Sequence, residues 1–438
     1  MSAFSQKRTL TASRRLVLSA SKQRLVEDTE TEYPCDMEKQ FLRDFNMAAV
    51  WAGLTTFVWY AFGALPLHLE VAGRLGLSSA EASSWIFVVW FSGAITSIAL
   101  SLYYRIPIPI TWTIPGLIYL GTLSGQFTFS EIVGANLMAG IAILFLGMFG
   151  IGEKIMAWLP LPIVMGMFGG SILVYVTRMV AASVEDVLVA GVTLASYLIG
   201  RFIASPRVPP MGLAVIIGGI AVFAFGETSP EVVSWSLPEL TFPGFSFTLS
   251  SFIAVSLPMI ILAMGLGNVQ GLGFLLSQEY RVPIKVVTIA TGLNSMVNTL
   301  LGGHPATVAR TGAAILAGPD AGPKEGRYWA NVIAATLTIS IALGAGTLIS
   351  LLAVLPRTFV VTLAGLAILS SLQSAFETAF GGKLRFGALA ALAVAATPFS
   401  VFGITSAFWS ILAGIAASFM AERKDLFAYW SGQKQTSD

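Results

Sequence analysis

One arginine in an apolar run is the residue of this chain best placed to do chemistry. Arg310 lies in Leu301–Gly318, LGGHPATVARTGAAILAG, a stretch apolar enough to sit at membrane depth. A charge inside a bilayer is costly and marks binding sites or ion pathways. A guanidinium offers paired planar donors that match the face of a carboxylate or bicarbonate. The run opens on the breaker Gly302-Gly303-His304-Pro305, and a short helix is expected from about Thr307. A helix that starts in mid-membrane exposes free N–H groups and a partial positive charge, which together suit an anion. No acidic residue is expected well inside any span to neutralise Arg310 instead.

A second breaker stands at Tyr104–Gly116, YRIPIPITWTIPG. Pro107 and Pro109 forbid helix and favour an extended strand, and Pro115 can start one. Two extended segments at the midplane satisfy each other's backbone groups only by crossing as a short β pair buried in protein. Their half-helix N-termini would then point at one another across an anion site. Thr111, Trp112, Thr113, Thr307, Arg310 and Thr311 are the substrate-contact candidates from these two segments. Asn268 and Gln270, in the Gly-rich run Gly265–Gly273, are the other two, with amide cross-linking between packed helices as the alternative role. Two roles are open to Trp112, stacking on an aromatic ring or filling core space. His304 is the proton-coupling candidate, or else donates to a nearby carbonyl. Asn294 and Asn298, four apart on one helix face, read as structural.

The composition places these residues in a membrane. Of 438 residues, 55% are hydrophobic and 11% charged, against about 25% charged in soluble domains. Eight of the 25 Lys/Arg fall in residues 1–43, a polar tail expected to be cytoplasmic and disordered, with no apolar signal-peptide core. Cys35 is the only cysteine, so no disulfide framework or cysteine metal site is expected. Net charge +2 says nothing of nucleic acid, because basic residues flank spans for topological reasons. No Walker loop, metal-ligand spacing or nucleophile elbow occurs, and the glycines of 265–273 do not follow a strand in a βαβ unit. The chain is therefore expected to be no enzyme, with no cofactor and no metal.

Stretches of about 20 apolar residues give fourteen transmembrane segments in an all-α polytopic fold. They are Asn46–Leu65, Ser84–Tyr103, Pro109–Leu123, Glu131–Phe149, Leu161–Ala181, Val184–Phe202 and Met211–Phe225, then Ser251–Leu276, Ile284–Leu301, Thr307–Ala317, Tyr328–Ile349, Phe359–Ala379, Phe386–Val401 and Thr405–Met420. Spans 3 and 10 are too short to cross alone. With the N-terminus inside, the inner loops carry Arg105, Lys154, Arg201, Arg207, Arg281, Lys285, Lys324, Arg327, Lys383 and Arg385, and the outer loops only Arg74, Arg178 and Arg357. That asymmetry fits an even number of spans with both termini cytoplasmic. The connection 227–249, with Glu227, Glu231 and Glu239, falls outside.

The halves repeat. Met156–Leu173 aligns with Leu352–Leu369 at an offset of 196 residues, Leu159-Pro160 falling on Leu355-Pro356, and the same offset sets Pro109 on Pro305. Seven spans per half, an odd number, require the halves to be inverted. The organisation expected is thus the tail 1–43, a seven-span repeat 44–226, the connection 227–249, an inverted repeat 250–421 and a cytoplasmic tail 422–438.

YRIPIPITWTIPG (104–116), SLPMIILAMGLGNVQG (256–271), LPRTFVVTLAGLAILSSLQSAF (355–376) and GITSAFWSILAG (403–414) resemble the bacterial benzoate:proton symporter family, over about residues 45–420. That family is related to the nucleobase–ascorbate transporters and sulfate permeases. The resemblance implies a seven-plus-seven inverted-repeat fold with core and gate domains, substrate held between spans 3, 8 and 10, elevator-type transport, a homodimer and a bacterial inner membrane. It also implies a small anionic substrate, benzoate or a related aromatic carboxylate, moved with protons. Leu266-Gly267-Asn268 lacks the span 8 glutamate of nucleobase transporters and carries Gly267 where the benzoate type usually has an amide. A bicarbonate- or sulfate-type transporter, or an anion channel on the same fold, is the second reading.

Overall fold

Proline placement sets the two breaks around which the helices are arranged. The computed structural model describes residues 43–150, 158–203, 210–226, 233, 235–402 and 404–431. The first half runs α1 (Met47–Leu75), α2 (Ser79–Tyr104), β1 (Ile110–Trp112), α3 (Ile114–Thr122), α4 (Phe129–Phe149), α5 (Leu161–Glu185), α6 (Val187–Ile203) and α7 (Pro210–Phe225). The second runs α8 (Leu249–Ser277), α9 (Ile284–Leu300), β2 (Ala306–Val308), α10 (Arg310–Leu316), α11 (Tyr328–Leu343), α12 (Ala345–Val354), α13 (Arg357–Phe380) and α14 (Arg385–Ala396). A small hairpin, β3 (Ser400–Val401) with β4 (Ile404–Thr405), precedes α15 (Ser406–Ala421) and α16 (Arg423–Trp430).

The strands expected at the two breaks are present. β1 and β2 pair antiparallel, Ile110 against Val308, Thr111 against Thr307 and Trp112 against Ala306. One more bond closes each end: the Thr113 N–H donates to the Pro305 carbonyl (3.1 Å), and the Ala309 N–H to that of Pro109 (2.8 Å). Residues 109 and 305, and 113 and 309, are each 196 apart, so the two closing bonds use equivalent positions. The outward amides are met by side chains of neighbouring helices. Ile110 donates to Ser97 Oγ on α2 (2.7 Å), Ala306 to Ser295 Oγ on α9 (2.8 Å) and Val308 to Asn268 Oδ1 on α8 (2.8 Å). Such partners are obligatory where no water is at hand.

Among the described residues six helices, α1, α2, α4, α5, α8 and α13, are long and apolar enough to cross a membrane, and α11–α12, bent by 62°, makes a seventh if the bent pair is one span. α6, α7, α14 and α15 are apolar but shorter. Each of the fourteen expected segments contains a helix. α1 runs past the expected end at Leu65 because the turn Tyr60–Ala64 widens to a π turn ahead of Pro66. That widening relieves the clash a proline makes with the preceding turn, and it carries His68 and Glu70 into the span. Span 11 is broken at Gly344, and Thr397-Pro398 ends α14 at Ala396, five residues before the expected Val401. The C-terminal tail expected from 422 begins as α16, whose Tyr429 hydroxyl donates to the Leu159 carbonyl (3.1 Å). Residues 1–42 with Cys35, and also Lys154, Arg207, Glu227 and Glu231, lie outside the described residues.

Packing partners fall into two sets. α9 lies on α4, and α11 on α1 and α2, around the strand pair; α13 and α14 lie on α5, and α6 on α7. The close fit of α8 on β2 depends on missing side chains. A Cβ on Gly267 would stand 1.8 Å from Thr307 Oγ1, whereas one on Gly273 would meet nothing within 4 Å. Gly267→Ala is therefore expected to destabilise the protein by about 1–3 kcal/mol through overpacking, read as a lower melting temperature in detergent. Gly273→Ala should leave it unchanged or slightly raised; equal melting temperatures for the two variants would contradict this account of the glycines.

Candidate functional site

A cavity of about 550 Å³ lies between the two helix sets. On one side stand Thr111, Trp112 and Pro115 from the first break, Leu266, Gly267 and Gln270 from α8, and Thr307, Arg310 and Thr311 from the second break. Trp59, Tyr60 and Leu67 of α1 close one edge. The opposite wall is Met165 and Phe168 of α5 with Ser370, Ser371, Gln373, Ser374 and Glu377 of α13. One end is thus aromatic and apolar, the other hydroxyl-rich with a single cation and a single carboxylate.

Arg310 is the first residue of α10, and no side chain caps that helix at Ala309. Its Nη1 donates to Gln270 Oε1 (3.3 Å) and to Ser374 Oγ (3.1 Å), one partner from each helix set. Its other N–H groups have no partner among the described residues. No acidic residue is expected well inside a span to pair with Arg310, and none pairs with it among the described residues; an acid near the end of expected span 12 does reach the cavity, however. Glu377 lines the same cavity, accepting from Gln373 Nε2 (2.7 Å). It stands near the end of α13, where a carboxylate reads from sequence as surface. The spacing Ser370, Ser374, Glu377 on one helix face was the available signal. Glu70 is the second acid, brought in by the extension of α1.

Six of the eight substrate-contact candidates meet in this cavity: Thr111, Trp112, Gln270, Thr307, Arg310 and Thr311. The other two do not. Thr113 is fully buried, and its Oγ1 accepts from the Gly116 N–H (3.2 Å) as the N-cap of α3. Asn268 is 1% exposed, and both ends of its amide are taken. Its Oδ1 accepts from the Val308 N–H (2.8 Å) and the Thr307 hydroxyl (3.1 Å), while Nδ2 donates to Thr291 Oγ1 (3.2 Å). It clamps β2 to α8. Asn298 likewise holds the His304 carbonyl (2.9 Å), and Asn294 the Thr96 hydroxyl (2.7 Å), as expected of structural amides.

His304 sits behind the cavity in a buried aromatic chamber with His68, a residue sequence reasoning passed over because the span was ended at Leu65. His304 Nδ1 accepts from the Trp85 indole N–H (2.9 Å). The His68 ring lies 4.6 Å from Trp112, 5.7 Å from Trp85 and from His304, and 6.0 Å from Trp90, centroid to centroid. Tyr60 Oη, both His68 nitrogens, His304 Nε2, and the indole nitrogens of Trp90 and Trp112 are buried without a hydrogen-bond partner among the described residues. A void of about 10 Å³, about the space one water needs, is lined by Tyr60, Trp90 and Trp112 and by neither histidine.

The sequence pattern of the family described as benzoate membrane transport protein matches residues 43–420. The chain is 27% identical over 385 residues to the benzoate membrane transport protein of Acinetobacter baylyi, covering 87% of this chain and 97% of that one. It is 28% identical over 365 residues to inner membrane protein YdcO of Escherichia coli, covering 82% and 92%. Among solved structures it resembles the transmembrane domain of a cyanobacterium bicarbonate transporter, BicA (TM-score 0.52, 16% identity, 88% of this chain and 98% of that one). It also resembles murine Slc26a9, an anion transporter, in the inward-facing state (TM-score 0.60, 13% identity, 92% and 75%). At these identities the structural likeness speaks to fold alone.

The two amides of α8 should separate on mutation. Asn268→Ala strands the buried Val308 N–H, while the Thr307 hydroxyl keeps the Ala263 carbonyl (3.0 Å), and is expected to cost about 2–4 kcal/mol with the cavity it leaves, seen as a large drop in melting temperature. Gln270→Ala, facing the cavity, should stay within about 0.5 kcal/mol of the parent. Comparable losses for both would contradict the assignment of Asn268 as a clamp.

Proposed function

The chain belongs to the benzoate membrane transport protein family, and from that premise we propose that it carries a small aromatic carboxylate, such as benzoate, across the bacterial membrane together with a proton. That it is a multi-pass bacterial membrane transporter and not an enzyme follows from the family. The observation that carries the substrate reading is Arg310, whose guanidinium faces the cavity with N–H groups to spare. A carboxylate can take those donors as a planar pair. Gln270 and Ser374 fix the orientation of the guanidinium, and Thr111 and Thr311 offer hydroxyls nearby. The uncapped first turn of α10 adds partial positive charge on the same side. Trp112, Met165 and Phe168 suit the apolar ring of such a substrate, which favours an aromatic acid over a strongly hydrated inorganic anion.

The wider reading is a fourteen-span fold of two inverted seven-span repeats. The equivalence of Pro109 with Pro305 and of Thr113 with Ala309 in the strand pair supports it. In this reading the set around the strands is the core, the set around α5 and α13 is the gate, and substrate crosses with the core by an elevator motion. A homodimer in the inner membrane with both termini cytoplasmic completes it. Proton coupling would use the buried chamber that holds His304.

Arg310→Ala should lower benzoate affinity by roughly 10–100-fold, the worth of hydrogen bonds to a charged group, and abolish uptake into proteoliposomes while folding is kept. Arg310→Lys should recover part of the affinity, since it keeps the charge and loses the fork. The direct check is a thermal-shift screen of aromatic carboxylates, bicarbonate and sulfate on the purified protein, where a binder at about 100 times its Kd adds roughly 2.7 kcal/mol. Stabilisation by bicarbonate or sulfate alone would favour an inorganic-anion transporter, and unitary currents without counterflow would favour a channel.

A further inference from the structure

We propose that His68 is the group that takes up the transported proton, and that Trp85 holds His304 as its neutral partner. The proposal rests on the reading that protons move with the anion. An indole N–H can only donate, so the Trp85 bond at 2.9 Å requires a lone pair on His304 Nδ1. Neutral His304 therefore carries its hydrogen on Nε2. Protonating it at Nδ1 would set two N–H donors against each other and break the bond. His68 carries no such restriction. Among the described residues neither of its ring nitrogens has a partner in good hydrogen-bond geometry, and the carbonyl of Ala64, one turn back on α1, lies alongside. One nitrogen always has an open lone pair in the neutral form.

The chamber is suited to a cation at His68. Three indole rings lie around it, edge-on or tilted, with centroids at 4.6, 5.7 and 6.0 Å, within the roughly 6 Å over which a ring face turned toward it can attract a cation. Among the ionisable groups around it, His304 faces it directly. Tyr60 closes the cavity side through Trp90 and Trp112. On its own helix Glu70 lies in the field of Arg74, Arg178 and Arg357. From α5, Tyr175 donates to the Ile118 carbonyl and lies under Arg74, and from α3 Tyr119 bonds the Ala254 carbonyl. Glu377 of α13 lines the substrate cavity. Among the described residues no carboxylate is in the ring of contacts, so the counter-charge for an imidazolium has to come from elsewhere. Trp112 touches His68 on one face and lines the anion cavity on another side. An anion bound beyond Trp112 would favour the protonated His68, and by linkage the proton would favour the anion to the same extent. That mutual dependence is what symport needs.

The chain contains two histidines, so NMR of isotope-labelled histidine in lipid nanodiscs reads both, with His68→Gln and His304→Gln assigning the signals. His304 is expected to stay neutral with its hydrogen on Nε2 from about pH 5 to 8, while His68 gains a proton when benzoate is added. Trp85→Phe, which frees Nδ1, should move titration onto His304. In proteoliposomes, His68→Gln should reduce benzoate-driven proton flux roughly ten-fold or more. His304 titrating first, a hydrogen on its Nδ1, or proton flux undiminished in His68→Gln would overturn the proposal. A protein that binds no aromatic carboxylate would sink the substrate reading alone. The tautomer of His304 and the order of titration need no ligand and would still decide this one.

Discussion

The rest of the structure depends on one constraint, the satisfaction of backbone groups where two helices are interrupted inside the membrane. An amide left unpaired in hydrocarbon costs several kcal/mol. The chain meets this by pairing its two interruptions with each other. What the pair cannot reach, single side chains supply: Ser97 and Ser295 for outward amides, Asn268 for Val308, Asn331 for the Ile108 carbonyl (2.9 Å) and Asn298 for that of His304 (2.9 Å). Buried polar residues on α2, α8, α9 and α11 are thereby tied to the breaks, which fixes how those helices pack. The glycines of α8 follow from the same need, since Asn268 reaches Val308 only if α8 lies directly on β2.

The cavity between the helix sets is a by-product of that solution. Pairing consumes the strand groups and leaves the first turns of α3 and α10 bordering the cavity. They are not equal. Thr113 caps α3, while α10 has no side-chain cap and begins with Arg310. Positive potential is therefore concentrated on the second break, although the two breaks are built on the same plan. The aromatic chamber behind β1 has the opposite character, rich in polar edges with no formal charge.

Much of this was legible in the sequence because prolines and an intramembrane arginine leave few alternatives. Pro107, Pro109 and Pro305 fix extended backbone, and burial of extended backbone in turn demands a partner strand. What was not legible depends on how helices continue or face one another. The π turn at Tyr60–Ala64 lets α1 run through Pro66, so His68 and Glu70 entered a span that a proline rule would end. Glu377 falls near the end of the expected span Phe359–Ala379, and only the packing of the two helix sets brings it to the cavity. Asn268 looked like a binding amide because its residue type and its Gly-rich setting suit both roles; only its partners tell them apart.

Those partners also bear on how the two helix sets are held together at the site. Arg310 moves with Gln270, since α8 and α10 pack together, but its bond to Ser374 reaches across to the other set. A hydrogen bond to a hydroxyl in an open cavity contributes only about 1 kcal/mol net, a weak tether between the two sets. Glu377, one turn beyond, would hold Arg310 far more firmly if the two paired directly. It is instead engaged by Gln373, and no ion pair within 4.0 Å joins it to Arg310 among the described residues. The arginine is thus oriented without being neutralised. On the proposed reading, an arriving carboxylate would meet a preset cation whose charge no protein group has yet balanced, and would bind without first displacing a buried ion pair.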